Sequence, residues 1–210
     1  HAAGTIAATT AANPLPTEKP FTSTPPDAER VAERAATGYV VVMEAYHTHF
    51  HPLQERLREI IASGEIGEVR TARANFCVPI PPGGDIRWKA ALGGGSLLDV
   101  GYYPVRQLTS LFGDPLSIEA SALMRDEVGR RVEISLGCGG GGLGEGISSM
   151  WSRRLFEISL RIEGERGSIR VRNPIHPHMR GGIAVRSPRG RRFEPADRRS
   201  TYSNQLQAIR

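Results

Sequence analysis

Asp99 and Tyr103 stand four residues apart in the stretch Gly93–Pro104, which opens on three consecutive glycines. Glycine takes positive φ without steric penalty, so Gly93, Gly94 and Gly95 permit a close backbone turn. A helical turn after them sets Asp99 and Tyr103 at i and i+4, on one face. A carboxylate beside a phenol is a proton-handling pair, because tyrosine serves as a general acid or base once its surroundings tune it. The spacing alone also fits a glycine-rich turn followed by an ordinary amphipathic helix with one exposed aspartate.

Other residues capable of chemistry are few. The chain has 27 basic residues, yet Lys19 and Lys89 are its two lysines. Arginine keeps its proton in proteins whereas lysine can release it, so each lysine invites a reason. His47, His49 and His51 alternate and on a strand would share a face, as metal ligands can. Glu44 is the nearest carboxylate and His51 precedes a helix-opening proline, so no metal site is expected and His47 reads as a cleft-lining residue. His176 and His178 fall in a proline-rich loop and read as solvated. Gly137–Gly142 matches G-x-G-x-x-G, but it lies between two strand patterns and reads as a hairpin loop rather than a phosphate cradle. Cys77 and Cys138 form no C-x-x-C, fit buried apolar strand positions, and suit a reducing, cytoplasmic setting.

Hydrophobic residues make up 39% of the 210, enough for a packed core, and no apolar run reaches membrane-spanning length. The net charge of +5 comes largely from an arginine-rich tail at Arg189, Arg191, Arg192, Arg198 and Arg199. Only Phe193 and Tyr202 are interleaved there, so a solvated surface is favoured over a nucleic-acid stacking platform.

The elements that must position these groups come in two styles. His1–Ala12 reads as an alanine-rich helix, and the prolines from Pro14 to Pro20 predict an edge strand or extended loop. Thr24 is an N-cap with Pro25 in the first turn and Asp27 closing a capping box, for a helix that stops at Gly38. The β-branched run Tyr39–Tyr46 predicts a strand buried on both faces. His51-Pro52 opens a helix with Leu53, Leu57, Ile60 and Ile61 on one stripe and Gly64 as its stop. From Glu68 the period becomes two, clearest where Phe156, Ile158, Leu160 and Ile162 alternate with Glu157, Ser159, Arg161 and Glu163. Strands are predicted around residues 70–78, 116–123, 132–136, 147–151, 156–162, 168–172 and 183–186, joined by short turns into a mostly antiparallel sheet packed on helices. A last helix starts near Tyr202. The fold class is therefore α/β and α+β: the C-terminal remnant of a Rossmann domain at residues 1–46, then an open sheet domain at 47–210.

Glu18-Lys19-Pro20, then Glu44-Ala45-Tyr46-His47 with His51-Pro52, then Gly93-Gly94-Gly95 with Asp99 and Tyr103, then Ser149-Met150-Trp151-Ser152 follow one another along the chain. In that order the chain resembles the Gfo/Idh/MocA family of NAD(P)-dependent oxidoreductases, in particular its dihydrodiol, xylose and glucose-fructose branch. The resemblance implies hydride transfer between NAD or NADP and a sugar or cyclic diol hydroxyl. It implies Glu18, Lys19 and Pro20 on the cofactor, with Lys19 also catalytic, orienting the substrate oxygen and favouring the phenolate of Tyr103. It implies Asp99 and Tyr103 as the D-x-x-x-H/Y pair, with Tyr103 moving the hydroxyl proton. Tyr46 and His47 read as substrate-side residues, and Arg87-Trp88, just before the glycine turn, fits either bracketing of the substrate or core packing of Trp88 with a surface ion pair for Arg87. The sheet's second face is expected either to be solvated or to meet another subunit in a homo-oligomer. No dinucleotide fingerprint lies in the chain, and Pro14 and Pro16 interrupt the segment before Glu18. The expectation is thus a fragment whose first βαβ unit is absent, or else a non-catalytic scaffold that has lost its cofactor.

Overall fold

A computed structural model describes residues 2–9, 15–151 and 156–209, so Pro14 and Ser152 of the motifs above, and both ends of the helix expected at His1–Ala12, lie outside the described residues. The chain divides into two compact units, His1–Tyr46 and His47–Arg210. In unit 1, α1 (Ala2–Thr9) precedes β1 (Leu15–Thr17), which pairs in parallel with β2 (Val42–Glu44) across α2 (Pro25–Gly38). Thr24 caps α2 as its residue type foretells: its hydroxyl accepts from the Asp27 amide, with proline in the first turn. The other end differs. Gly38 is the last helical residue, and the left-handed cap is Tyr39 at φ 51°, its side chain 98% exposed. The predicted long strand shrinks to three half-buried residues, because Tyr39 and Val40 are spent donating to helix carbonyls at the end of α2.

Unit 2 is built on eight strands in the order β10-β9-β8-β7-β3-β6-β5-β4. They are β3 (Val69–Cys77), β4 (Ser117–Arg125), β5 (Val128–Gly137), β6 (Leu143–Ser149), β7 (Glu157–Gly164), β8 (Ser168–Arg172), β9 (Gly182–Ser187) and β10 (Gly190–Pro195). Only β3 and β6 run parallel, so the sheet is mostly antiparallel as the period-two pattern predicts. Ala72, Ala74, Leu136, Leu160, Ile162, Ile169, Val171, Ile183 and Val185 form its inner face. Against that face lie Leu53, Leu57 and Ile60 of α3 (Pro52–Ala62) and Leu108 of α4 (Tyr102–Phe112). Gly144 and Gly146 make β6 thin under α4: a Cβ at 144 would meet Leu108 Cδ2 at 3.4 Å, and one at 146 would meet Pro104 Cβ at 3.4 Å. Among the described residues no helix is long and apolar enough to cross a membrane.

Two local expectations change, and a third, the glycine hairpin loop, holds. His47–Phe50 is a 3₁₀ turn, not a strand, so its alternating histidines share no pleated face. The glycine run after β5 is a hairpin loop, with Gly140 and Gly141 at positive φ and the Cys138 amide donating to Gly142 across it. The arginine-rich tail contains a strand, β10, hidden from pattern reading because its half-buried positions are Arg192 and Glu194 while Phe193 is exposed, so no inward apolar row marks it.

One of those arginines organises an ion network. Arg192 bonds both oxygens of Glu65, whose side chain is 7% exposed, and also Glu194, which Arg56 grips from α3 at 2.7 and 3.1 Å. The Arg56 hydrogen bond, ahead of the Arg192 one, holds the Glu194 carboxyl down to about 2 from 4.5. A carboxyl depressed in the folded state adds stability above its unfolded value and loses it as pH falls through the folded one. Between about pH 4.5 and about pH 2 the urea midpoint is therefore expected to drop, and less steeply in Glu194→Gln. An unchanged pH slope in that variant would disprove the network's share.

Candidate active site

The glycine triad works by bringing two loops together. The Gly94 amide donates to Lys89 O at 3.0 Å and the Gly95 amide to Arg87 O at 2.9 Å. A Cβ at Gly94 would sit 2.7 Å from both carbonyl oxygens, so only glycine fits there. The Arg87–Trp88 turn is thereby tied to the start of the helix that carries Asp99 and Tyr103. That start is not the α-turn expected. Leu97–Gly101 is a π-helical turn, with i→i+5 bonding, that leads into α4 at Tyr102. Gly101 presses on β6, where a Cβ would lie 2.8 Å from Ser148 Oγ.

Asp99 and Tyr103 accordingly serve different neighbours. Asp99 Oδ2 forms an ion pair with Arg87 Nε at 3.1 Å, and Arg87 is also gripped by Asp85 at 2.8 Å. Trp88 donates from its indole nitrogen to Pro81 O at 3.1 Å, and the Arg130 guanidinium lies over its ring at 5.2 Å. Tyr103, 6% exposed, places its hydroxyl 3.3 Å from His47 Nε2 and its ring 5.3 Å from Phe76. His47, 3% exposed, has Nδ1 2.9 Å from Thr201 Oγ1. Its ring stacks on Tyr202 at 4.4 Å and on His176 at 5.2 Å.

Thr201 and Tyr202 begin α5 (Thr201–Ile209), and His51 brings that helix into place. His51 Nδ1 accepts from the Leu53 amide as the N-cap of α3, and Nε2 lies 3.1 Å from Asp197 O. A nitrogen facing a carbonyl must carry the proton, so His51 is a neutral Nε2–H imidazole. Burial, the leading cause, also lowers its pKa. Both nitrogens are thus spoken for, and His51 is a structural pin. His176 is half-buried rather than solvated, and burial, then His178, lowers its pKa.

Of the residues singled out by sequence, unit 2 gathers His47 with Tyr103 and Arg87 with Asp99. Lys19 follows β1 in unit 1, half-buried, with a cis peptide bond to Pro20; Glu18 is exposed. Tyr46, buried, ends that unit, its amide donating to Glu44 O at 2.8 Å. Thr201, Tyr202 and His176 escaped sequence reasoning. The His47–Thr201 bond spans 154 residues, and no local pattern encodes such a contact.

A family model for the GFO/IDH/MocA C-terminal domain matches residues 54–170, more than half of the chain. The chain belongs to the GFO/IDH/MocA family. Within it, a dTDP-3,4-didehydro-2,6-dideoxy-alpha-D-glucose 3-reductase from Actinomadura kijaniata is 38% identical over 117 residues, covering 56% of this chain and 35% of its own length. An enzyme of the same name from Streptomyces violaceoruber is 31% identical over 180 residues, 84% of this chain and 52% of its own. The 3-ketoreductase KijD10 from Actinomadura kijaniata, crystallised as a tyrosine-to-phenylalanine variant with TDP-benzene and NADP, superposes with a TM-score of 0.89. It is 25% identical, and the match covers all of this chain and 65% of that one. The chain thus spans about half or less of the length of the two reductases matched by sequence. The GFO/IDH/MocA resemblance read from the motifs and the mostly antiparallel sheet are both borne out.

Proposed function

We propose that this chain is the substrate-side portion of an NADP-dependent oxidoreductase that interconverts a carbonyl and a hydroxyl on a sugar or nucleotide-linked sugar, with Tyr103 as proton donor and acceptor. The observation that carries the reading is the buried Tyr103 hydroxyl 3.3 Å from an imidazole nitrogen, on an element whose sequence has the family's D-x-x-x-Y form. The names of the related reductases, and the NADP bound to KijD10, support the substrate class and cofactor.

Unit 1 then belongs to the dinucleotide-binding part. Its residues fit a nicotinamide nucleotide at one place: Glu18, Lys19 and Pro20 follow the carboxyl end of a parallel strand, the edge at which open α/β sheets take ligands. They would hold the nicotinamide side of the nucleotide, which when bound supplies or accepts the hydride. Tyr103 gives its phenolic proton to the oxygen of a carbonyl undergoing reduction, and takes it back from the hydroxyl in oxidation. Asp99 neutralises Arg87 and so fixes the Arg87–Trp88 turn, which we assign to holding the substrate. The outer sheet face is suited to self-association. It is a polar face on which Arg73 pairs with Glu145, Arg131 with Glu133 and Arg161 with Glu163, and a two-fold axis there would join two copies through the same patch.

The test is a spectrophotometric assay of the complete protein at 340 nm. NADPH is expected to be consumed with a 3-keto dTDP-sugar and NADP to be reduced with free aldoses or diols, one class strongly preferred. Tight NADP binding without turnover on any of these would refute the assignment.

A further inference from the structure

His47 differs from its neighbour His51 in one respect that matters for chemistry. The partners of His51, an amide N–H and a carbonyl, lock a single tautomer. The two groups bracketing His47 are hydroxyls, Thr201 Oγ1 at 2.9 Å and Tyr103 OH at 3.3 Å, and a hydroxyl can donate or accept. These partners therefore suit either tautomer, and they also suit imidazolium, which donates to both. A buried imidazolium needs further compensation. The Tyr202 ring stacks 4.4 Å away and offers a π-face to a cation, while burial favours the neutral form of the second stacked ring, His176.

We propose that His47 is the proton relay of Tyr103, holding as imidazolium the proton that the reaction releases or consumes. The proposal rests on the reading of Tyr103 given above. In oxidation the substrate hydroxyl proton passes to the Tyr103 oxygen as the phenolic proton of Tyr103 passes to His47 Nε2. The product is imidazolium, its Nδ1–H donating to Thr201. In reduction the Nε2 proton returns to Tyr103 as Tyr103 protonates the carbonyl oxygen, leaving a neutral imidazole. Tyr103 itself begins and ends each turnover protonated, so the relay spares the site a lasting phenolate. His47 acts through Tyr103 and is a positioning and relay residue rather than a group touching substrate.

The experiment measures kcat and KM against pH in both directions, in the complete protein, for wild type, His47→Gln, Thr201→Val and Tyr103→Phe. Among the described residues, titratable groups that bond or stack on His47 include Tyr103, His176 and Tyr202, with His178 behind His176. Wild-type oxidation is expected to fall as pH drops through the imidazole range, and reduction to fall as pH rises through it. His47→Gln should lose about 100-fold in kcat, with KM and NADP affinity little changed, and should lose that inflection. Thr201→Val keeps the ring but removes the acceptor of its Nδ1–H, so the inflection should move to lower pH. If His47→Gln does not fold, the Thr201→Val profile decides: a shift supports the relay and an unmoved inflection overturns it. A folded His47→Gln protein within about threefold of wild-type kcat, with the same pH profile, also overturns it. Tyr103→Phe separates the two readings. Inactive Tyr103→Phe beside active His47→Gln sinks the relay alone, whereas fully active Tyr103→Phe sinks the acid/base role of Tyr103.

Discussion

Replacing Tyr103 with phenylalanine in the complete protein is expected to lower kcat by about 10²- to 10⁴-fold, the usual worth of a positioned general acid or base. The substitution removes one oxygen and leaves the ring, which keeps its 5.3 Å packing on Phe76. Ring packing should therefore be unaffected, and NADP affinity should stay within about twofold, since no uniform binding contact is lost. The lost hydroxyl does uncover His47 Nε2 in a buried place, at a cost of about 1–3 kcal/mol to stability at most. Fluorescence titration with NADPH and steady-state kinetics on the same preparation separate the two effects. A variant that turns over at the wild-type rate would remove Tyr103 from the chemistry, whatever the family likeness.

The second large effect is on stability. Leu108 of α4 is fully buried and sits over Gly144 of β6, where the missing side chain lets helix and sheet approach. Leu108→Ala removes the buried atoms and leaves a cavity that backbone on both sides resists filling, for a loss of about 2–5 kcal/mol. In a unit of this size that corresponds to a Tm lower by roughly 10 °C. Leu206→Ala on α5, at a 63% exposed position, is the control and should change stability by less than about 0.5 kcal/mol. Calorimetry on both variants checks the contrast; equal melting temperatures would show that α4 is not seated as described. Well below its Tm the Leu108→Ala variant should retain most of its kcat, in contrast to Tyr103→Phe.

Much of the framework was legible residue by residue. Thr24 with Asp27, and the stripe of Leu53, Leu57 and Ile60, are local signals, and local hydrogen bonds and burial honour them. Alternation in β7 and β8 is honoured from Ile158 on because one sheet face is packed and the other is not, whereas Phe156, grouped with the same apolar row, precedes the strand and is 78% exposed. Elsewhere a residue serves a partner that its own alternation pattern does not show. Tyr39 was assigned to a strand but caps a helix. The arginines of β10 looked like solvated charge but include Arg192, held by Glu65 and Glu194. His176 looked like loop surface but stacks on His47.

The sequence by itself determined the family, through short motifs in a fixed order along the chain, and the mostly antiparallel sheet and the pairing of a glycine turn with Asp99 and Tyr103, because each of those motifs and alternations is written in local spacing. Only the tertiary structure decided what the phenol of Tyr103 faces. His47, Thr201 and Tyr202 reach it from a 3₁₀ turn and from the last helix. Contacts across so many residues arise when separate elements are pressed onto one core, and chain order carries no record of them. The same holds for Asp99, whose partner Arg87 is delivered by backbone bonds from the glycine turn rather than by helical spacing.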